Sequence, residues 1–207
     1  MLLFAHTGIT AGCVWLAGKT VSVLNKTKPE ARKEHILSEE TSLPSSEALQ
    51  NPAQVGAIDY RMVLVGSMLP DIIDKPLGIY LLADQISNGR IYGHTLLFLL
   101  LIITAGIILY YFRKNSALLL ISAGAFAHLA LDQMWRNPHT LFWPLFGTEF
   151  ERHENGEWLG GLFETLTSNP SVYIPEIIGV LIVAVFAWHI IRKRRLAAFI
   201  RTGKINR

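Results

Sequence analysis

Residues 96–112 read LLFLLLIITAGIILYYF, an apolar run that is interrupted only by Thr104 and Gly106. Extended back to Tyr92, this run supplies the roughly 20 residues that cross a bilayer as an α-helix, so we predict a transmembrane helix here. The whole chain agrees with this prediction. Of its 207 residues, 51% are hydrophobic and 17% are charged, and the mean hydropathy is +0.34. Soluble domains have about 25% charged residues, and disorder requires low hydropathy, so the composition excludes both.

Four further segments are candidates for membrane-embedded helices: residues 2–18, 61–82, 116–135 and 172–191. No Lys or Arg precedes the first segment, so we expect a retained helix rather than a cleaved signal peptide. The second contains Pro70 and several charges, so we expect it to enter the bilayer and end near that proline. The sequence therefore predicts an all-α, polytopic membrane bundle of four to five membrane-embedded helices, folded as a single domain over 1–207.

The distribution of charge predicts how this bundle is oriented. The tail 192–207 has seven basic and no acidic residues, whereas the segment 136–171 has five acidic and two basic ones. By the positive-inside rule, the tail is cytoplasmic and 136–171 is an outer loop. The polar loop 25–60 is then expected inside, and the chain is expected in the plasma (inner) membrane. A single cysteine, Cys13, excludes an intramolecular disulfide.

Ionisable side chains within apolar sequence are costly to insert and mark candidate functional sites. His128 and Asp132 are four residues apart and Asp71 and Asp74 three apart, so each pair shares one helix face. In the predicted topology these four residues, with His6 and His94, lie at one depth towards the outer face. Imidazole and carboxylate together suit a divalent metal, zinc in the first place, with manganese or iron as alternatives. The predicted ligands are His6, Asp71, His94, His128 and Asp132.

The other polar groups near this depth allow two interpretations each. Asp74 is a candidate catalytic residue, either as the general base or as the group that orients a ligand. His139 is a second candidate, although its Trp- and Phe-rich loop also fits an interfacial histidine. His153 and Glu157 fit either later ligands or a solvated turn. Glu176 either hydrogen-bonds the site or lies near the N-terminus of the last helix, its own, where the helix dipole favours negative charge.

Several motifs carry a resemblance to a known family: FAHTGIT at 4–10, GSMLPDIID at 66–74, GHTLLF at 93–98, HLALDQMW at 128–135 and LFWPLFG at 141–147. In this order they resemble the membrane-bound, metal-dependent hydrolases associated with the inner membrane, from Met1 to about Gly179. The resemblance implies metal ligation by the His and Asp residues of these motifs.

A more distant similarity is to zinc-dependent phospholipase C and related single-strand nucleases, which are all-helical enzymes. Their pattern implies a further ligand near His139, and His153 with Glu157 is similar to their later ligands. The long apolar helices and the absence of an N-terminal Trp depart from that pattern, which argues against a three-zinc cluster.

We therefore predict a metal-dependent hydrolase that cleaves a phosphoester or an ester at the membrane surface. Lipids are one class of candidate substrate. Membrane lipids are the expected partners and nucleic acid is not. Two alternatives stay open: a metal or proton transporter, since intramembrane His and Asp also form conduction paths, and a non-catalytic scaffold tied together by its metal. A Gly-rich phosphate loop and a Gly-x-Ser-x-Gly elbow are both missing from the sequence, so serine hydrolases and nucleotide triphosphatases are disfavoured.

Overall fold

The computed structural model describes residues 3–18, 20, 58–152 and 166–204, and all regular secondary structure in these ranges is helical. The prediction of an all-α protein is therefore confirmed for the described residues. The polar segment up to residue 57, as well as His153 and Glu157, lies outside them. The helices are α1 (3–18, with a π-helical turn at Ala5–Ile9), α2 (Tyr60–Lys75), α3 (Leu96–Arg113), α4 (Ala117–Leu131), α5 (Pro138–Leu141), α6 (Pro170–Arg192) and α7 (Leu196–Thr202).

Two of the described helices, α3 and α6, are long and apolar enough to cross a membrane. The segment 116–135 was predicted as one long helix, but α4 has 15 residues, or about 22 Å at the usual helical rise. The hydrocarbon core is about 30 Å thick. Asp132 ends α4, and Gln133 then turns the chain with a φ of 53°. The structure thus identifies two membrane-length helices, and four to five membrane-embedded helices stays a prediction.

Pro70 does not end α2, contrary to prediction. The helix runs through this proline to Lys75 and continues as a π-helical turn over Pro76–Leu81. A proline removes one amide donor from the helix, and such losses are tolerated inside bundles where neighbouring groups satisfy the backbone. Close to this point the Ser67 carbonyl accepts a hydrogen bond from His128 at 2.7 Å. Because the helix continues, Asp71 and Asp74 keep their helical spacing and share one face.

In two pairs of helices, glycines allow the partners to approach until their backbones are in contact. A Cβ at Gly124 of α4 would meet the Val63 carbonyl of α2, and a Cβ at Gly179 of α6 would meet the Phe4 carbonyl of α1. Small residues at such crossings are typical of helices that pack within membranes, since lipid tails give no hydrophobic force between helices. These crossings fix α4 against α2 and α1 against α6, and all four helices position candidate site residues.

Gly179→Val is expected to destabilise the protein by about 1–3 kcal/mol, the usual cost of overpacking. The added side chain would overlap the backbone of α1 at Phe4. Thermal unfolding of the detergent-solubilised protein measures the effect, and Ala184→Val, at an exposed position of the same helix, is the matched control. Equal unfolding midpoints for the two variants would contradict the close α1–α6 crossing.

The C-terminal helix packs against the beginning of α2. The Tyr60 amide donates to the Gly203 carbonyl at 3.0 Å, and Arg61 Nη1 donates to the Ile200 carbonyl at 2.7 Å. The Arg61 guanidinium also pairs with Asp59 and holds the pKa of that carboxyl below its usual range. These contacts place the C-terminal segment at the end of α2 that is farthest from Asp71 and Asp74. The orientation relative to the membrane stays a prediction.

Candidate metal centre

Four separate elements bring ionisable side chains together at one end of the bundle. His6 lies in the first turns of α1, and Asp71 and Asp74 lie near the end of α2. His94 lies in the short turn before α3, while His128 and Asp132 lie at the end of α4. The three histidines and Asp74 have no exposed surface, and Asp71 is 5% exposed. We call His6, Asp71, His94, His128 and Asp132 the ligand cluster.

Asp74 holds His94 in position through hydrogen bonds to the loop that carries it. Its Oδ2 accepts hydrogen bonds from the amides of Ile91 (2.7 Å) and His94 (3.1 Å) and from His94 Nδ1 (2.7 Å), and its Oδ1 accepts from the Gly93 amide (2.7 Å). Both oxygens are thus engaged within the loop that carries His94. Of the two roles predicted for Asp74, these hydrogen bonds favour the orienting role, and the general-base role stays a prediction.

His94 and His128 present the same ring nitrogen to each other. His94 Nδ1 faces Asp74, and His128 Nδ1 donates to the Ser67 carbonyl at 2.7 Å. Because a carbonyl only accepts, His128 carries its proton on Nδ1, and a neutral ring then has its lone pair on Nε2. The two Nε2 atoms are 3.1 Å apart. Two neutral rings in this arrangement would direct lone pairs at each other, so a positive centre is needed between or beside them.

The carboxylate of Asp71 and the ring of His6 complete the surroundings of these nitrogens. Asp71 Oδ1 is 3.6 Å from His94 Nε2 and 3.8 Å from His128 Nε2. His6 stacks on His128 with ring centroids 3.9 Å apart, and its Nε2 is 3.1 Å from Asp132 Oδ1. The other ring nitrogen of His6, Nδ1, makes no hydrogen bond to any described residue. Buried polar atoms rarely stay in this state without a water or an ion.

Two groups of potential ligands share His128: His6, His128 and Asp132, and Asp71, His94 and His128. Within each group the ligand atoms lie within 4.8 Å of one another. Zinc ligands at about 2.0–2.1 Å in a tetrahedron are about 3.3–3.4 Å apart, close to the separations above. The structure therefore brings the five predicted ligands together as two overlapping groups, each of which could hold a metal ion.

A family model described as YdjM inner membrane protein matches residues 1–198, a range that includes the whole ligand cluster. The chain belongs to the YdjM inner membrane protein family. This membership and the two membrane-length helices establish a membrane protein. No curated protein and no solved structure matches the chain. The YdjM description names a location and no reaction.

Glu176 has a structural role that neither of its two predicted roles anticipated. Its Oε2 accepts hydrogen bonds from the amides of Phe4 (3.0 Å) and Ala5 (3.3 Å). A carboxylate at these amides satisfies helix donors and interacts favourably with the helix dipole. The helix it stabilises is α1, rather than its own helix α6, so Glu176 fixes the turn that carries His6.

The structure places His139 outside the ligand cluster. The residue is exposed on α5, its ring contacts Phe146 edge-on at 6.3 Å, and it belongs to neither ligand group. Its predicted catalytic role therefore finds no support among the contacts of the described residues. The interfacial interpretation fits its exposure.

Two basic residues of the site were missed by the sequence analysis. Lys75 Nζ is 2.6 Å from Asp71 Oδ2, and Arg90 Nε is 2.8 Å from Asp132 Oδ2. The first pair has the i,i+4 spacing of a helix, so it could be inferred from the sequence. The sequence analysis counted Lys75 only among the charges that interrupt its segment. The second pair joins a loop to the end of α4, so no local pattern in the sequence indicates it.

Proposed function

We propose that this protein is a membrane-embedded, metal-dependent hydrolase that cleaves an ester or phosphoester at the membrane surface. The observation that carries the proposal is the 3.1 Å separation of His94 Nε2 and His128 Nε2, each in a ring whose Nδ1 already has a partner. A divalent ion, zinc in the first place, is the proposed positive centre. Its proposed ligands are the five residues of the ligand cluster.

A metal ion accounts for more of the geometry than a shared proton does. A proton between His94 and His128 would join those two rings, but it would leave the buried Nδ1 of His6 without a hydrogen bond to any described residue. It would also leave the approach of Asp71 Oδ1 to both Nε2 atoms unexplained. Neutral imidazoles and carboxylates are ordinary ligands for zinc and similar ions, and the two ligand groups that share His128 would hold one ion or a pair of ions.

The bound ion would lower the pKa of a coordinated water towards about 7 and polarise the oxygen of the scissile group. The chain's own residues divide the remaining tasks. Asp74 fixes the ring of His94, and the Ser67 carbonyl fixes the ring of His128. His6 stacks on His128 and approaches Asp132, so α1 supplies its proposed ligand beside those of α4.

The position of the ligand cluster favours a substrate at the membrane surface. His94 is two residues before the first residue of α3, and α3 is one of the two membrane-length helices. Among the described residues, the histidines and carboxylates with buried side chains are these ligands together with Asp74 and Glu176, all at this end of the bundle. A transporter would need polar groups along a path, so this distribution favours a surface site.

We expect purified protein in mixed lipid–detergent micelles to hydrolyse at least one member of a panel of phosphoesters, carboxyl esters and amides. A chelator should abolish the activity and added zinc should restore it. His128→Ala should be inactive, while His139→Ala, a histidine outside the cluster, should retain activity. Product release measured by mass spectrometry covers the whole panel with one readout.

Two results would contradict the proposed hydrolase and indicate a different function. Flux of protons or metal ions in proteoliposomes, abolished by His128→Ala, would indicate a transporter. Stoichiometric metal without hydrolysis of any panel member would indicate a structural metal that ties the helices together.

A further inference from the structure

Two cations lie at the solvent side of the ligand cluster, and no step of the proposed hydrolysis uses them. Lys75 and Arg90 have side chains that are 30% and 43% exposed, whereas the carboxylates they contact, Asp71 and Asp132, are 6% and 2% exposed. The cations therefore form a rim between the buried cluster and the solvent. We call Lys75 and Arg90 the basic rim.

Each rim cation is connected to the cluster through one carboxylate. Asp71 directs Oδ1 at the Nε2 atoms of the two facing histidines and accepts from Lys75 Nζ with Oδ2. Asp132 approaches His6 with Oδ1, and its Oδ2 is 2.8 Å from Arg90 Nε. The two cations thus flank the cluster, each one carboxylate away from the proposed ion.

Most hydrogen-bond donors of the basic rim are not used by the described residues. An ammonium group has three donors and a guanidinium has five. Within the described ranges, Lys75 and Arg90 each make one side-chain ion pair, to Asp71 and Asp132 respectively. None of the described residues occupies the remaining donors of these two side chains.

The balance of charge indicates what these donors bind. A divalent ion and the basic rim supply four positive charges against the three negative charges of Asp71, Asp74 and Asp132, the carboxylates that contact the cluster histidines. A neutral ester or amide gains little from that charge. A phosphate group gains both the charge and charge-assisted hydrogen bonds from lysine and from the planar donors of arginine.

Resting on the proposed function, we propose that the basic rim binds the anionic phosphate group of the substrate, which makes the substrate a phosphate ester. Lys75 and Arg90 would each donate to phosphate oxygens beside the carboxylate that the side chain contacts. The phosphate belongs either to a lipid headgroup or to a soluble phosphoester, since both present the same chemistry.

The test measures binding of inorganic phosphate to the full-length, zinc-loaded protein in detergent by calorimetry, with zinc content determined on each sample. We expect Lys75→Gln and Arg90→Gln each to weaken phosphate binding about tenfold, the value of a charge-assisted hydrogen bond at a partly exposed site. Zinc content should not change. Arg136→Gln, at an exposed arginine shortly after Asp132, should bind phosphate as the parent does.

Competition assays separate the two sources of phosphate. Phosphatidic acid in mixed micelles should displace inorganic phosphate at lower concentration than glycerol 3-phosphate does if the substrate is a lipid, and the reverse order identifies a soluble phosphoester. Either order agrees with the proposal.

Three outcomes would overturn the phosphate assignment. If the zinc-loaded parent does not bind phosphate, or if both rim variants bind it as tightly as the parent, the assignment fails and the proposed metal site stands. If the rim variants lose zinc and phosphate together, the cations only stabilise the ligand carboxylates. A parent that binds no zinc refutes the proposed function itself and is recognised from the metal analysis alone.

Discussion

Protein purified in detergent without chelators is expected to contain a stoichiometric transition-metal ion, and His128→Ala is expected to lose it. His128 belongs to both potential ligand groups, so its removal disrupts each of them. Loss of a group that merely supports a ligand already weakens metal binding about 10–100-fold, and loss of the shared ligand should exceed that. Elemental analysis by mass spectrometry measures the metal per chain.

His139→Ala is the matched control for this experiment, since it removes an exposed histidine that lies outside both groups. It should keep the metal content of the parent. Asp132→Ala should behave like His128→Ala, because Asp132 is a member of one ligand group. A parent without metal, or a His128→Ala variant that retains it fully, would contradict the assignment of the ligand cluster.

Asp74→Asn is expected to lower metal affinity about 10–100-fold, the usual effect of losing a ligand's supporting carboxylate. It should also destabilise the fold by about 1–3 kcal/mol. The carboxylate accepts four hydrogen bonds, from the amides of Ile91, Gly93 and His94 and from His94 Nδ1. An asparagine places an NH2 group against at least one of these donors and removes the negative charge. Metal titration and thermal unfolding in detergent measure the two effects.

Asp84→Asn is the control for Asp74→Asn, because Asp84 is an exposed acid on the loop that follows α2. It should leave metal affinity and stability unchanged. The same experiment separates the two roles considered for Asp74. If Asp74→Asn kept the metal and the stability of the parent but lost hydrolysis, Asp74 would be the general base, and the orienting role inferred from its hydrogen bonds would be wrong.

Much of the site was predictable because apolar sequence makes each ionisable residue conspicuous. His6, His94 and Asp132 each lie near the end of an apolar segment. Because consecutive membrane helices run in opposite directions, these ends were predicted to lie at one depth. The helical spacing of Asp71 with Asp74 then indicated a shared face. These inferences need only helix boundaries and periodicity, which are local properties of the chain.

Other features depend on which groups meet after folding. Nothing near Glu176 in the sequence indicates that it caps the amides of Phe4 and Ala5, more than 170 positions away. Arg90 similarly finds Asp132 only through the packing of a loop against the end of α4. Pro70 was predicted to end α2, yet the helix continues through it where α2 packs against α4.

By itself, the sequence determined that the chain is helical, that it contains membrane-length apolar helices, and that the few histidines and aspartates of its apolar segments lie at one end of the bundle. These properties follow from hydropathy and helical period, which act over neighbouring residues. Only the tertiary structure decided that Asp74 orients His94, that the two Nε2 atoms face each other, and that Lys75 and Arg90 flank the cluster. Those relations depend on distances between side chains of different elements, and close packing at glycine crossings sets these distances.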